Sequence, residues 1–146
     1  MELKGVNGRS FPLIAPVITD SAMTVLRHSI AGIASVQVDE KGLDRLIWRD
    51  FGNGLSMARL AREGKRELVV YRIAPGAAAD VFLRHEHVGG EFYLVLKGAI
   101  ADETGSYGAG DVVYLDPKSV HTPYAPSDAG ETVVLVLWPE GVRLLE

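Results

Sequence analysis

Arg84-His85-Glu86-His87-Val88-Gly89-Gly90-Glu91 decides how this chain is read. Side chains on a strand alternate between faces, so on a strand His85 and His87 share one side. Glu91 has the same parity, and Gly89-Gly90 gives the backbone freedom to turn before it. Two imidazoles on one wall, with a carboxylate on the adjoining strand, form a chelate suited to Zn, Fe, Mn, Co, Ni or Cu. The chain has four histidines, and one more of them follows a turn-like Asp116-Pro117-Lys118-Ser119. That residue, His121, closes the site if it comes from another strand. A metal held on His85, His87, Glu91 and His121 keeps positions open for water or substrate, as catalytic rather than closed structural sites do. The fourth histidine, His28, stands in no such motif and reads as a surface or capping residue.

Outward from this segment the chain is a series of short apolar runs. They are Ile33–Val38, Leu46–Trp48, Leu55–Leu60, Glu67–Ile73, Ala79–Arg84, Glu91–Leu96, Asp111–Leu115 and Thr132–Trp138. Turn-forming stretches separate them: DEKG (39–42), FGNG (51–54), REGK (62–65), APG (74–76) and TGSYGAG (104–110). Many short strands at close spacing predict an all-β barrel or sandwich. Residues 1–20, with Gly5, Gly8, Pro12 and Pro16, read as an extended arm, and Ser21–Ala34 fits either a short helix or a strand. LVVYRI and TVVLVLW lack polar alternation, so both faces of those strands are covered. One face belongs to the barrel interior; the other expects a second sheet layer or a partner subunit, hence a homodimer. No repeat or linker divides the chain, so residues 1–146 are read as one domain with the barrel over 35–139.

Composition narrows the function. Among 146 residues there are 15 basic and 19 acidic side chains, a formal net charge of −4, which argues against a nucleic-acid partner. There is no cysteine, which excludes disulfides, thiolate zinc sites and Cys nucleophiles. Neither a signal-peptide core nor a membrane-length apolar run is present, so a cytoplasmic protein without membrane contact is expected. Phe82, Tyr93, Tyr114 and Trp138 fall in strands and are expected mostly in the core, with Tyr93 sharing the parity of Glu91 and a candidate for the cavity wall. Glu86 has the opposite parity to the histidines and reads as an exposed strand charge. Arg72 and Arg84 are candidate contacts for an anionic substrate, with a solvated edge position the commoner fate.

The spacing also carries a family resemblance. His85-x-His87-x-x-x-Glu91 followed by Gly98 resembles the first cupin motif, and Gly110-Asp111 through Pro117 to His121 resembles the second. The link Glu103-Thr104-Gly105-Ser106-Tyr107-Gly108-Ala109-Gly110 is similar to small bacterial cupins related to acetylacetone-cleaving dioxygenases, and to the cupin domain of zinc-binding anti-sigma factors. The resemblance implies a double-stranded β-helix barrel, a metal in its mouth and often a homodimer. It implies one divalent transition metal, Fe(II) or Zn first and Mn or Ni next. Glu91 is then a fourth ligand or a catalytic carboxylate beside the three histidines. Three functions follow: a dioxygenase acting on a small diketone- or enolate-like substrate, a non-catalytic metal-bound sensor or ligand-binding module of the anti-sigma type, or a metal hydrolase or isomerase. Three departures stand out. Eight residues separate Gly76 from His85, which predicts a longer or bulged strand there. Lys118 replaces a common glycine, and Ala125 a common asparagine.

Overall fold

The computed structural model describes residues 2–4, 10–12 and 40–146. Two short strands, β1 (Glu2–Lys4) and β2 (Ser10–Pro12), pair antiparallel. Helix α1 (Glu40–Asp44) precedes β3 (Arg49–Gly52), β4 (Leu55–Glu63), β5 (Arg66–Ile73), β6 (His85–His87) and β7 (Glu91–Lys97). Then come β8 (Ala99–Asp102), β9 (Gly105–Gly108), β10 (Val112–Leu115), β11 (Val120–His121), β12 (Thr132–Trp138) and β13 (Val142–Leu144). Six strands form one sheet in the order β10-β7-β12-β5-β4-β3; β11-β6-β13 and β8-β9 form smaller sheets, and every ladder among the described residues is antiparallel.

The central strands explain why the sequence lacks polar alternation. On β12, Val134, Val136 and Trp138 face the interior, where they meet Val69 and Ile73 of β5, Tyr93 and Val95 of β7, and Ile100 of β8. The intervening Val133 and Leu135 face outward with Val70, Leu68 and Leu96. That outer layer is packed by Leu43 of α1 and by Leu46 and Trp48 just after it, not by another sheet. The Trp48 indole donates to the Leu43 carbonyl at 3.0 Å, beside the Leu46 amide at 3.2 Å, which ties the turn to the helix end. Farther along the outer face, Phe92, Val112 and Tyr114 stay exposed, with the Phe92 and Tyr114 rings 4.6 Å apart.

Several expectations are corrected. DEKG runs into α1 rather than a turn, and Leu46–Trp48 is the turn after it, so the strand starts at Arg49. Ala79–Arg84 is irregular, and the long spacing before His85 is a loop rather than an extended strand. TGSYGAG contains β9, whose pairing with β8 turns at Glu103-Thr104. Tyr114 is on the surface, not in the core. Ile33–Val38, Ser21–Ala34, His28 and most of the N-terminal arm lie outside the described residues.

Gly98 shows why the first motif ends on glycine. Its φ is +71°, and a Cβ there would lie 2.5 Å from Thr132 Oγ1 and 2.6 Å from the Glu131 carbonyl oxygen. Thr132 is fully buried and its hydroxyl donates to the Ala99 carbonyl at 3.0 Å, so it has no room to yield. Gly64 has a similar φ of +58° with nothing within 4 Å. Gly64→Ala is expected to cost about 1 kcal/mol, the left-handed penalty alone, and Gly98→Ala about 3 kcal/mol or more. Urea unfolding midpoints check this; equal losses at the two positions would contradict the close-contact argument.

Candidate metal centre

The antiparallel pairing of β6 with β11 sets His121 directly opposite His85. His87 lies two residues along β6 on the same face, so three imidazoles meet at one point. Their ring centroids are 4.9, 4.8 and 4.7 Å apart, close to an equilateral triangle. One ligand nitrogen from each lies within 4.8 Å of the others, and all three residues are buried. This is the convergence that the spacing predicts. Glu86, between the two β6 histidines, points away and accepts a hydrogen bond from Arg143 at 2.7 Å.

Each ring is fixed from behind through Nδ1. His85 Nδ1 donates to the Leu83 carbonyl at 2.8 Å, and His121 Nδ1 donates to Asp102 Oδ2 at 2.8 Å. The Ser119 hydroxyl lies 3.0 Å from His87 Nδ1. A proton on Nδ1 leaves the Nε2 lone pair free to face inward. The Nε2 atoms of His87 and His121 are buried with no hydrogen-bond partner among the described residues. Such orphaned acceptors are costly in an apolar interior, and a cation satisfies them. Burial, together with the neighbouring His121 and His87, holds His85 below its ordinary value despite the Leu83 carbonyl, so its ring is neutral.

Asp102 was not visible as a site residue in the sequence. Burial alone would raise its pKa, but hydrogen bonds from Thr104 and His121 outweigh that and lower it, so it is an anion behind His121. Thr104 donates to Oδ1 through both its amide, at 2.7 Å, and its hydroxyl, at 2.5 Å. The same hydroxyl lies 2.7 Å from the Tyr107 hydroxyl. The signal was the Asp-x-Thr-Gly turn at 102–105, whose strand partners bring its first residue under the barrel mouth.

Glu91 opens β7 in the large sheet and is reached through the Gly89-Gly90 turn. Gly90 has φ +84°, and a Cβ there would lie 2.8 Å from the Leu115 carbonyl oxygen. The buried carboxylate accepts from the Trp138 indole at 2.5 Å, and the same Oε2 lies 3.2 Å from His87 Nε2 without hydrogen-bond alignment. Glu91 thus stands beside His87 but outside the group in which every ligand atom lies within 4.8 Å of the others. Lys118 holds a left-handed φ of +68°, which accounts for the glycine common at that place, and its amide donates to the His87 carbonyl at 2.6 Å.

The histidine cluster meets one pole of a cavity of about 290 Å³ through His85 and His121. His85, His121 and Glu91 line it, and the rest of the wall includes Phe82, Tyr71, Tyr93, Val134 and Trp138. Tyr93 therefore faces the cavity. Burial raises the Tyr71 and Tyr93 pKa values, with Glu91 adding to the first and Asp102 to the second, so both phenols remain protonated. Arg72 is elsewhere: it stacks on Trp48 at 4.3 Å and pairs with Asp44 and Glu131 at 3.6 and 3.8 Å. Arg84 is exposed and does not line the cavity, so neither arginine provides the anion contact considered from the sequence.

Comparison with known proteins agrees with this geometry. The family model described as the ChrR Cupin-like domain matches residues 41–140. The anti-sigma-E factor ChrR of Cereibacter sphaeroides is 39% identical over 83 residues, covering 57% of this chain. The chain spans only 38% of the length of that relative. The crystal structure of Rhodobacter sphaeroides SigE in complex with the anti-sigma ChrR matches with a TM-score of 0.58 and 34% identity, over 66% of this chain and 51% of that one. An acetylacetone dioxygenase from Acinetobacter johnsonii matches with a TM-score of 0.62 over 82% of this chain and 81% of that one, but at 13% identity the likeness is of fold alone. With the family match spanning most of the barrel, the chain belongs to the ChrR cupin-like family and has the double-stranded β-helix of the cupin superfamily.

Proposed function

We propose that this protein is a metal-bound ligand-binding or sensing module, with one divalent transition metal on His85, His87 and His121 and Glu91 as the fourth ligand. The observation that carries the reading is the set of three buried imidazoles fixed through Nδ1, two of them with unsatisfied Nε2 atoms. Glu91 fits beside them: two atoms bonded to one zinc at 2.0–2.1 Å and tetrahedral angles lie about 3.3 Å apart, and Oε2 is 3.2 Å from His87 Nε2. When bound, the metal would supply a Lewis-acid pole at one end of the cavity. Zinc or iron suits this donor set, with manganese or nickel next.

Kinship with an anti-sigma factor supports a regulatory role, and a sigma factor is the protein partner this reading implies. A homodimer belongs to the same proposal, supported by the exposed strip of Phe92, Val112 and Tyr114. A cytoplasmic location remains part of it; among the described residues no helix is long and apolar enough to cross a membrane. The second reading is a dioxygenase acting on a small diketone- or enolate-like molecule. It is favoured by the metal pole opening into an apolar cavity, where exclusion of water strengthens polarisation.

Elemental analysis of untagged protein tests the metal assignment. Wild type and Glu86→Gln are expected to carry about one metal per chain, whereas His87→Ala and His121→Ala lose most of it. Equal metal content in all four would defeat the assignment. Oxygen-electrode assays of the iron-loaded protein with β-diketones separate the two readings: sustained uptake selects the dioxygenase, and none selects the module.

Asp102 orients His121, so Asp102→Asn is expected to weaken zinc binding by about 10- to 100-fold while leaving the fold intact. Competition with a chromophoric chelator measures it; unchanged affinity would remove the carboxylate from the site.

Acid acts through His85. Its folded pKa lies below the ordinary value of 6.5, so the folded protein binds fewer protons there than the unfolded chain. Stability from this group is complete above the unfolded value and is lost as pH falls from there through the folded value. The metal-free protein is therefore expected to lose stability as pH falls below about 6.5, and His85→Asn to lose less over the same range. Thermal unfolding across the range measures it; identical slopes for the two proteins would contradict it.

A further inference from the structure

We infer that the cavity takes a one-headed amphiphile: a small molecule with a single neutral or monoanionic donor group for the metal and an otherwise uncharged, apolar body. This rests on the metal reading proposed above. The argument is the distribution of charge around the wall. All charge-bearing residues that line the cavity, His85, His121 and Glu91, sit at the metal pole. No lysine, arginine or aspartate lines it among the described residues. The phenols of Tyr71 and Tyr93 on the same wall carry no charge near neutral pH.

The arginines of β4 and β5 are engaged on the outside. Arg59 and Arg62 pair with Glu67 at 3.3 and 3.1 Å, and Arg72 is held by Trp48, Asp44 and Glu131. A second charged group on a ligand would thus be buried with no counter-ion, which is prohibitively costly. That excludes dicarboxylates, amino-acid zwitterions and phosphate esters. At the metal pole the arithmetic differs: a divalent cation offsets the carboxylates of Glu91 and, behind His121, Asp102, and its direct bond to the head accommodates a neutral or monoanionic donor. The body then meets an aromatic run in which Trp138, Tyr71 and Phe82 follow one another, at centroid spacings of 5.9 and 5.1 Å. The apolar side chains Leu83 and Leu144 line the cavity and are each 62% exposed, so a body longer than the cavity would still lie on apolar surface at the mouth.

Straight-chain hydroxamates, which chelate zinc through a monoanionic head, test this on the zinc-loaded full chain by calorimetry. From acetohydroxamate to hexanohydroxamate the affinity is expected to rise about fourfold per methylene. Adipic acid monohydroxamate, the hexano compound with a carboxylate at its far end, is expected to bind about tenfold or more weaker than hexanohydroxamate. A flat series, or equal binding of these two six-carbon compounds, overturns the inference while leaving the metal reading intact. If the chain takes up no zinc, the metal reading fails, and the series ethanol to hexanol is followed by tryptophan fluorescence on the metal-free protein. A rise of about fourfold per methylene there sustains the apolar body; a flat response overturns it.

Discussion

The pairing of β6 with β11 is the constraint on which the site depends. It is a ladder of two residue pairs, and it places His121 opposite His85. Strand pairing has a period of two, so a slip of one residue would send His121 to the outer face and put Val120 in its place. Ladders this short do not hold themselves. The register is fixed by backbone hydrogen bonds around His87: its amide donates to the Ser119 carbonyl at 3.0 Å, and its carbonyl accepts from Lys118 at 2.6 Å. On the other side β13 pairs with β6 from His85 to His87. Lys118 holds the left-handed conformation needed to close this loop, so the turn after Pro117 and the position of the third histidine are one structural decision.

Once in register, the imidazoles create a cost that only their partners offset. Three rings within 5 Å of one another cannot all be protonated without strong repulsion. Neutral rings avoid the repulsion but leave lone pairs facing one another in a dry interior. Leu83, Ser119 and Asp102 satisfy the Nδ1 atoms and thereby commit the Nε2 atoms to the centre. A cation bound there recovers desolvation already incurred on folding, so metal affinity and folding stability are linked quantities in this fold.

The histidine cluster was readable from the chain because alternation on a strand is a local rule, and His85 and His87 obey it. The central strands were readable for the same reason: Thr132–Trp138 has the boundaries its composition suggests. What escaped detection depended on tertiary placement. Asp102 is one acidic residue among many in sequence, and only the β8–β9 hairpin reveals it as the partner of His121. Trp138 looked like core and is core, yet its indole N–H also holds Glu91, a contact spanning 47 residues. TGSYGAG carried turn residues throughout, but Gly105 and Gly108 are the two ends of a strand, and Gly110 lies in the turn after it. The second layer over the large sheet was expected from β12, but its identity as a short helix depended on Leu43, Leu46 and Trp48 rather than on any strand pattern.

Membership of the family leaves the chemistry at the metal to be argued from the wall of the cavity. Among the described lining residues the ionisable groups are two histidines, one glutamate and two phenols. Glu91 is the one carboxylate among them, and its Oε2 is already shared between Trp138 and the neighbourhood of His87. That engaged oxygen is poorly placed to act as a general base toward a ligand. The phenols, raised by burial, are equally poor acids near neutrality. Reactions that need a free protein base or acid therefore find little support among these lining residues. Binding at the metal asks for neither group. It needs a rigid nitrogen donor set, an open pole and an apolar wall, and those are the features to which the fold commits its buried side chains.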